Sequence, residues 1–434
     1  MLRKNHQNQK LALNGGNPIR TKPFPKYNTI SKEEKEEVMK ILDNGELSGF
    51  AAIDTNDFYG GNYVTSLEKD FCEYFSSPHA VAVNSATSAL HIAVASMNIG
   101  PGDEVIVPPY TMTATPTSVL LTGAVPIFAD ILEDTYCLDP DSVIKNINKN
   151  TKGIIVVNLF GHPAPLIELK KIADAHGLFL IEDNAQAPGT KINGSYTGTI
   201  GDAGIFSFNR HKVIQCGEGG LVICKDPEKA FKMQLIRNHG ECLVDKLGAK
   251  DIINVLGVNY RMPNIEAAIT RIQFRKLEAL NAHRIKIANY FSKRLMDIDG
   301  LEPPIIRKNC THGYYVFAIK YKKDVIGINK ELFAKAVQAE GFLLKSGYTR
   351  PLYMTPLYQK QLCFGSKGYP FKINQRISAN TYKKGICPIT EKIEEHEMLW
   401  TPLIYPPISE ADIDQFVEAL IKVIQNVNDL KNKH

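Results

Sequence analysis

Lys212 stands between an apolar run at 204–208 and the glycine-rich turn Gly217-Glu218-Gly219-Gly220. A primary amine held at the end of a rigid element suits Schiff-base chemistry, because burial strips its proton and the free amine attacks a carbonyl. A single lysine so placed is more often a surface residue of a strand-to-strand loop, so the other residues decide. Upstream, Leu180-Ile181-Glu182-Asp183-Asn184-Ala185-Gln186 ends a second apolar run with two acids. Charge at the end of a buried strand is costly unless it is used. The Asp183 carboxylate can hold a ring nitrogen protonated through a charge-assisted hydrogen bond, where the plain alternative is a helix cap. Gln186 can meet a phenolic oxygen or a backbone group.

Asn84-Ser85-Ala86-Thr87-Ser88 follows a third apolar run and opens a helical pattern. Free N–H groups and the positive helix end make an anion cradle there, with Thr87 or Ser88 adding hydroxyls. An ordinary N-cap has the same composition. Ser207 ends the run before Lys212 and can donate to an anion. Tyr110, in Val107-Pro108-Pro109-Tyr110-Thr111-Met112, offers a ring that could stack on a heterocycle or simply pack. An anion cradle, a stacking residue, a carboxylate for a ring nitrogen and a Schiff-base lysine, in that order, describe a pyridoxal 5'-phosphate (PLP) site. The combination is far more specific than any member.

These residues need a scaffold that brings strand ends together. Apolar runs recur at 80–83, 104–107, 125–128, 153–157, 178–181, 204–208 and 221–224, with helical patterns at 88–97 and 167–176 and a weaker one before Thr151. The alternation predicts an α/β fold with a mostly parallel seven-stranded sheet between helices, whose ligands bind beyond the carboxyl ends of the strands. Ser31 with Glu33 and Glu34 predicts a capped helix start. A long helix is expected over 264–291. Beyond 300 the pattern changes to a strand at 314–319 and helices at 330–339 and 410–428. The expected organisation is an irregular arm at 1–30, a large domain at 31–290 and a smaller α+β domain at 291–434.

The 434 residues carry a formal charge of +5, spread along the chain. Unclustered charge of that size argues against nucleic-acid binding. No apolar run is long enough to span a bilayer, and Met1-Leu2-Arg3-Lys4 leads into polar residues unlike a signal peptide. A cytoplasmic protein is expected. The eight cysteines lack CxxC spacing and the eleven histidines lack ligand spacing, which predicts reduced thiols and no metal site.

Nearly the whole chain resembles the DegT/DnrJ/EryC1/StrS family of sugar aminotransferases, a branch of the PLP-dependent transferases of fold type I. The resemblance rests on the Ser85–Leu90 segment, Gly102-Asp103-Glu104-Val105-Ile106-Val107-Pro108, Gly161-His162-Pro163-Ala164, Glu182 through Ala187, Ser207-Phe208 with Lys212 and the following Gly-Glu-Gly-Gly, and Asn259-Tyr260-Arg261-Met262. It implies that Lys212 forms the Schiff base, that Asp183 pairs with the pyridine nitrogen, and that Gln186 lies beside the phenolic oxygen. It implies Ala86, Thr87 and Ser207 as phosphate binders. Asn259 would reach the phosphate of the neighbouring subunit's cofactor, which implies a homodimer with shared sites. His312 and Tyr314 lie where the family often contacts substrate; packing in the small domain is an equal alternative. The place of the family's stacking ring is held by Met112, with Tyr110 two residues earlier. Asn209-Arg210-His211 replaces the usual residues before the lysine; a solvated loop is the plainer role for Arg210.

The activity so implied is transamination (EC 2.6.1.-), from an amino-acid donor such as glutamate to a keto-sugar, nucleotide-linked in most of the family, for amino-sugar and polysaccharide biosynthesis. Aminocyclitol aminotransferases are similar. So are dehydratases with histidine in place of the lysine; counting back from Gly217 puts Lys212, not His211, at that place. A non-catalytic regulator on this scaffold has no need of the full residue set. A nicotinamide enzyme lacks its GxGxxG. Arg20, Lys22, Lys345 and Arg350 are cations that could meet a phosphate, each with a solvated surface role as the alternative.

Overall fold

The strands of the main sheet are β1 (His79–Val83), β2 (Glu104–Val107), β3 (Val125–Phe128), β4 (Thr151–Val157), β5 (Phe179–Asp183), β6 (Ala203–Ser207) and β7 (Gly220–Cys224). They lie in the order β1-β7-β6-β5-β4-β2-β3. Pairings from β3 across to β6 are parallel, and only β7 runs against its two neighbours. Strands this short and buried on both faces carry continuous apolar residues, so their pattern reads directly from the sequence. The computed structural model describes residues 6, 7 and 9–431; the basic opening Met1–Lys4 lies outside them.

The helices that cover the sheet are α1 (Lys32–Asn44), α2 (Gly61–Phe75), α3 (Ala86–Ser96), α4 (Ala114–Leu121), α5 (Pro140–Asn146), α6 (Leu166–His176), α7 (Pro227–Arg237), α8 (Asn264–Arg275) and α9 (Leu277–Leu295). Ser31 caps α1 through a reciprocal box with Glu34. The single helix expected over 264–291 is two. At Lys276 the backbone N–H bonds back three residues to Gln273 O, which tightens the turn, while its ammonium is tied to Thr29 O, Ser31 Oγ and Glu34 at the start of α1.

A second, antiparallel sheet, β8-β9-β11-β10, is made of β8 (Leu301–Glu302), β9 (Phe317–Tyr321), β10 (Lys345–Ser346) and β11 (Met398–Thr401). The strand expected at 314–319 begins three residues later. Gly313 and Tyr315 donate to Gly161 O and Phe160 O, and Tyr314 sits at φ 50°, so this stretch is tied to the large sheet's loops. Helices Lys330–Ala339 and Glu410–Gln425 pack on the second sheet. Between them the chain returns to the first core, where Leu352, Tyr353, Tyr358, Phe371 and Tyr382 join residues such as Val81 and Val105. Before α2 the chain makes a 3₁₀ turn, Asn56–Tyr59. Among the described residues of the N-terminal arm the only regular element is the turn Ala12–Asn14; Glu340 accepts from Ala12 N and Ile19 N, and Tyr27 donates to Val213 O at 2.5 Å. No helix among the described residues is long and apolar enough to cross a membrane.

Candidate active site

The carboxyl ends of β1, β5 and β6 deliver Ser85, Asp183 and Ser207 to one edge of the sheet. Lys212 follows β6 on a turn closed by Lys212 N to Asn209 O and Cys216 N to Phe208 O. The residue is half-buried, and its ammonium is the desolvated end. That burial lowers the lysine to about 8, opposed by the nearby Asp183 charge. Its Nζ stands 4.5 Å from the ring centroid of Tyr315. His211, the next residue back, is exposed, as is Arg210.

Asp183 is buried. Burial raises its pKa, against the Ala185 N–H, the Lys212 charge and the Thr115 hydroxyl. Each carboxylate oxygen has one long partner: Ala185 N at 3.2 Å on one, Thr115 Oγ1 at 3.2 Å on the other. Spare acceptor capacity therefore remains on a buried carboxyl.

At the start of α3 the Ser85 hydroxyl accepts from Ser88 N at 3.1 Å, and Ser88 Oγ donates to Asn84 Oδ1 at 2.7 Å. Those two hydroxyls serve the cap. The Ala86 and Thr87 N–H groups lie in the first turn, out of reach of intrahelical bonds, and Thr87 is exposed. The glycine-rich turn meets this cradle at Gly220, where a Cβ would come within 2.4 Å of Ser85 C and 2.5 Å of Ala86 N. Only glycine lets the two segments approach so closely.

Gln186 accepts from Phe160 N at 2.8 Å and donates from Nε2 to the Tyr348 hydroxyl at 3.0 Å. Tyr110 is fully buried, with its hydroxyl on Glu394 Oε2 at 2.7 Å; Glu394 also accepts from Tyr348 N. Tyr110 thus anchors the Tyr348 loop, and its ring meets the Tyr348 ring edge-on at 5.7 Å. Met112 is 64% exposed and begins the turn whose Thr115 reaches Asp183.

The structure separates two of the sequence candidates from Lys212. Tyr314 stacks on His312 at 3.9 Å and lines a different cavity, of about 900 Å³, with Glu133, Asn289 and Ser292. His312 is buried, held well below the usual imidazole range by desolvation, and meets His162 edge-on at 5.4 Å. The tyrosine that faces the amine is Tyr315, one residue on. Arg350 is exposed. Asn259 is exposed on a strap whose neighbours Val258 and Tyr260 bond to Ile236 O, Arg237 O and Asn84 N. Thr115, Tyr315 and Tyr348 were not singled out from sequence.

The family model for the DegT/DnrJ/EryC1/StrS aminotransferases matches residues 29–421. The chain belongs to that family. It is a PLP-dependent aminotransferase of fold type I, as the resemblance implied, and the family works in amino-sugar biosynthesis. The aminotransferase is 33% identical over 364 residues to the L-glutamine:2-deoxy-scyllo-inosose aminotransferase of Streptomyces kanamyceticus, a match covering 81% of this chain and 83% of that one. Its fold matches DesI, solved in the presence of its TDP-sugar product, with a TM-score of 0.82, 25% identity and 98% of each chain covered. It also matches NtdA of Bacillus subtilis with bound cofactor PMP, at a TM-score of 0.76 and 27% identity, over 94% of this chain and 86% of that one.

Proposed function

We propose that this aminotransferase holds PLP through Lys212 and moves an amino group from an amino-acid donor, such as glutamate, to a keto-sugar or a related cyclitol ketone. The observation that carries the reading is the buried pair at the sheet edge: a lysine lowered to about 8 beside a buried carboxyl with unused acceptor capacity. The groups around it fit PLP in size and chemistry. The Ala86 and Thr87 N–H groups and the Ser207 hydroxyl would take the phosphate, in the cradle that Gly220 leaves open. Gln186, fixed by Phe160 and Tyr348, would stand by the phenolic oxygen. Met112, largely exposed, would cover the ring, since Tyr110 is fully buried against Tyr348. The bound cofactor supplies an aldehyde to carry the amino group and an electron-withdrawing ring that acidifies the adjoining carbon.

Asp183, a buried carboxyl, would keep a proton on the ring nitrogen through a charge-assisted bond. Lys212, lowered to about 8 so that a sizeable fraction is free amine near neutral pH, would hold the cofactor and, once released, would carry a proton as base and then as acid. Tyr315 walls the amine from solvent. Exposed Ile252, Ile253 and Leu256, at 62%, 55% and 75%, lie just before Asn259. Their apolar surface suits a homodimer in which Asn259 reaches the partner's cofactor. On this reading an arm at 1–30 straps a small domain at 291–434 to a large one at 31–290. The eight free cysteines fit the cytoplasm.

The test is borohydride reduction of the PLP-loaded protein followed by peptide mass analysis. The cofactor mass is expected on the peptide containing Lys212. Lys212→Ala should lose the label and, by analogy with other catalytic nucleophiles, at least about a thousandfold in turnover, while His211→Ala keeps the label. A label retained by Lys212→Ala sinks the assignment.

A further inference from the structure

Arg284 of α9 is 3% exposed. Its Nη1 donates to the carbonyls of Tyr314 and Tyr315, at 3.2 and 3.4 Å, and its guanidinium lies 5.1 Å from the Tyr27 ring centroid. Its Nε has no partner, and no carboxylate among the described residues forms an ion pair with it. Arg237, the comparably buried arginine, shows what a structural guanidinium has here: Glu68 at 2.6 Å. A cation taken out of water without an anion is costly, so Arg284 lacks a counter-charge that the fold does not supply.

It faces a cavity of about 430 Å³ whose wall also holds Arg210, His211 and Lys345 and contains no carboxylate. Neither Arg210 nor Lys345 forms an ion pair among the described residues; Lys345 instead stands 5.0 Å from the Trp400 ring centroid. Glu218, on the same turn as Arg210, accepts from Asn209 Nδ2 at 2.6 Å and acts on His211, but it does not line the cavity. Tyr315 belongs to this wall and to the Lys212 site at once, so the cationic cavity abuts the reacting amine.

We infer that Arg210, Arg284 and Lys345 form an oxyanion subsite that seats the phosphate or carboxylate of a reactant beside Lys212. The inference rests on the proposed transamination. The same chemistry has two sources: the diphosphate of a nucleotide-linked acceptor and the carboxylate of the amino donor. A guanidinium fork accepts either. In a ping-pong reaction the two enter in turn, so one seat can serve both.

Trp400 is the chain's one tryptophan and lines the cavity, so its fluorescence reports occupancy. The PLP-loaded protein is titrated with inorganic pyrophosphate, thymidine diphosphate and glutarate. A saturable change is expected that weakens with added salt. The exposed double variant Arg210→Gln/Lys345→Gln should raise the dissociation constant about tenfold, and Arg284→Gln by more, from the worth of hydrogen bonds to charged groups. Saturation by the diphosphates alone assigns the acceptor, by glutarate alone the donor, and by both a seat used in turn. No saturable response, or constants unchanged in the double variant, overturns the subsite; that variant decides even where Arg284→Gln fails to fold. Borohydride trapping on the same samples separates the two claims. Lys212 labelled without anion binding refutes the subsite alone, and Lys212 unlabelled refutes its assignment as the lysine that holds the cofactor.

Discussion

Glu182 and Asp183 are neighbours on β5, both buried carboxyls, and they face opposite sides of the sheet. Burial raises the pKa of each. On its side Glu182 is held by three short bonds: Oε1 accepts from Ile200 N and Gly201 N at 2.7 and 2.6 Å, and Oε2 from Gly198 N at 2.6 Å. It ties down the loop that leads into β6. On the other side Asp183 has two long bonds and a lysine that burial has lowered. Two acids ending one strand therefore mean different things. What tells them apart is whether the protein itself uses up their hydrogen-bonding capacity; a carboxyl left with spare capacity in a dry site is awaiting a donor from outside the chain.

That contrast breaks most directly at Glu182. Glu182→Ala leaves two buried N–H groups, of Gly198 and Gly201, and the part-buried N–H of Ile200 without an acceptor, each buried one worth about 1–3 kcal/mol, so a loss of about 3 kcal/mol in unfolding free energy is expected. Chemical denaturation measures it. An alanine variant as stable as the parent would erase the distinction between the two acids. Asp183→Asn should do the reverse. It keeps the shape and the bond from Ala185 N, and its amide nitrogen can donate to the Thr115 hydroxyl in place of the bond now accepted from it, so the denaturation midpoint should move little. Turnover of the first half-reaction at saturating cofactor should fall about 10²–10³-fold, the size of effect seen when one placed electrostatic group is removed. Full turnover in Asp183→Asn would leave the carboxyl without the role given to it.

The seven strands were legible because a sheet covered on both faces demands unbroken apolar runs, and each run is bounded by residues that cannot continue it. What escaped the sequence was set by distant partners. The break at Lys276 depends on α1, far away in the chain. The helix α4 opens with Ala114-Thr115-Pro116-Thr117, which reads locally as a turn, so Thr115 was passed over although its hydroxyl reaches Asp183. Tyr314 and Tyr315 are adjacent, and which one faces Lys212 turns on the positive φ at Tyr314, invisible to any alternation rule. Lys212 and Asp183 could be singled out because each sits at the end of a readable strand. Arg284 could not, since what distinguishes it is the absence of a partner.

The smallest expected effect concerns protons, and it divides the two faces again. Because burial sets Lys212 at about 8, the fraction of free amine rises with pH through that value and levels off above it. The rate at which the apo-protein takes up PLP, trapped by borohydride across a pH series, should follow that curve, with a midpoint well below the value of about 10.4 for an exposed lysine. The same depression makes the unfolded chain the better proton binder between about 8 and about 10.4, so this group's contribution to apo-protein stability should rise with pH across that window. The Asp183 charge is what holds the midpoint up. Asp183→Asn should therefore shift it downward, by about a unit or less, since only one neighbouring charge is lost. Glu182→Gln, on the opposite face with its acceptors already occupied, should leave it in place. A midpoint that moves with Glu182 and ignores Asp183 would mean that the lysine reads the wrong side of the strand.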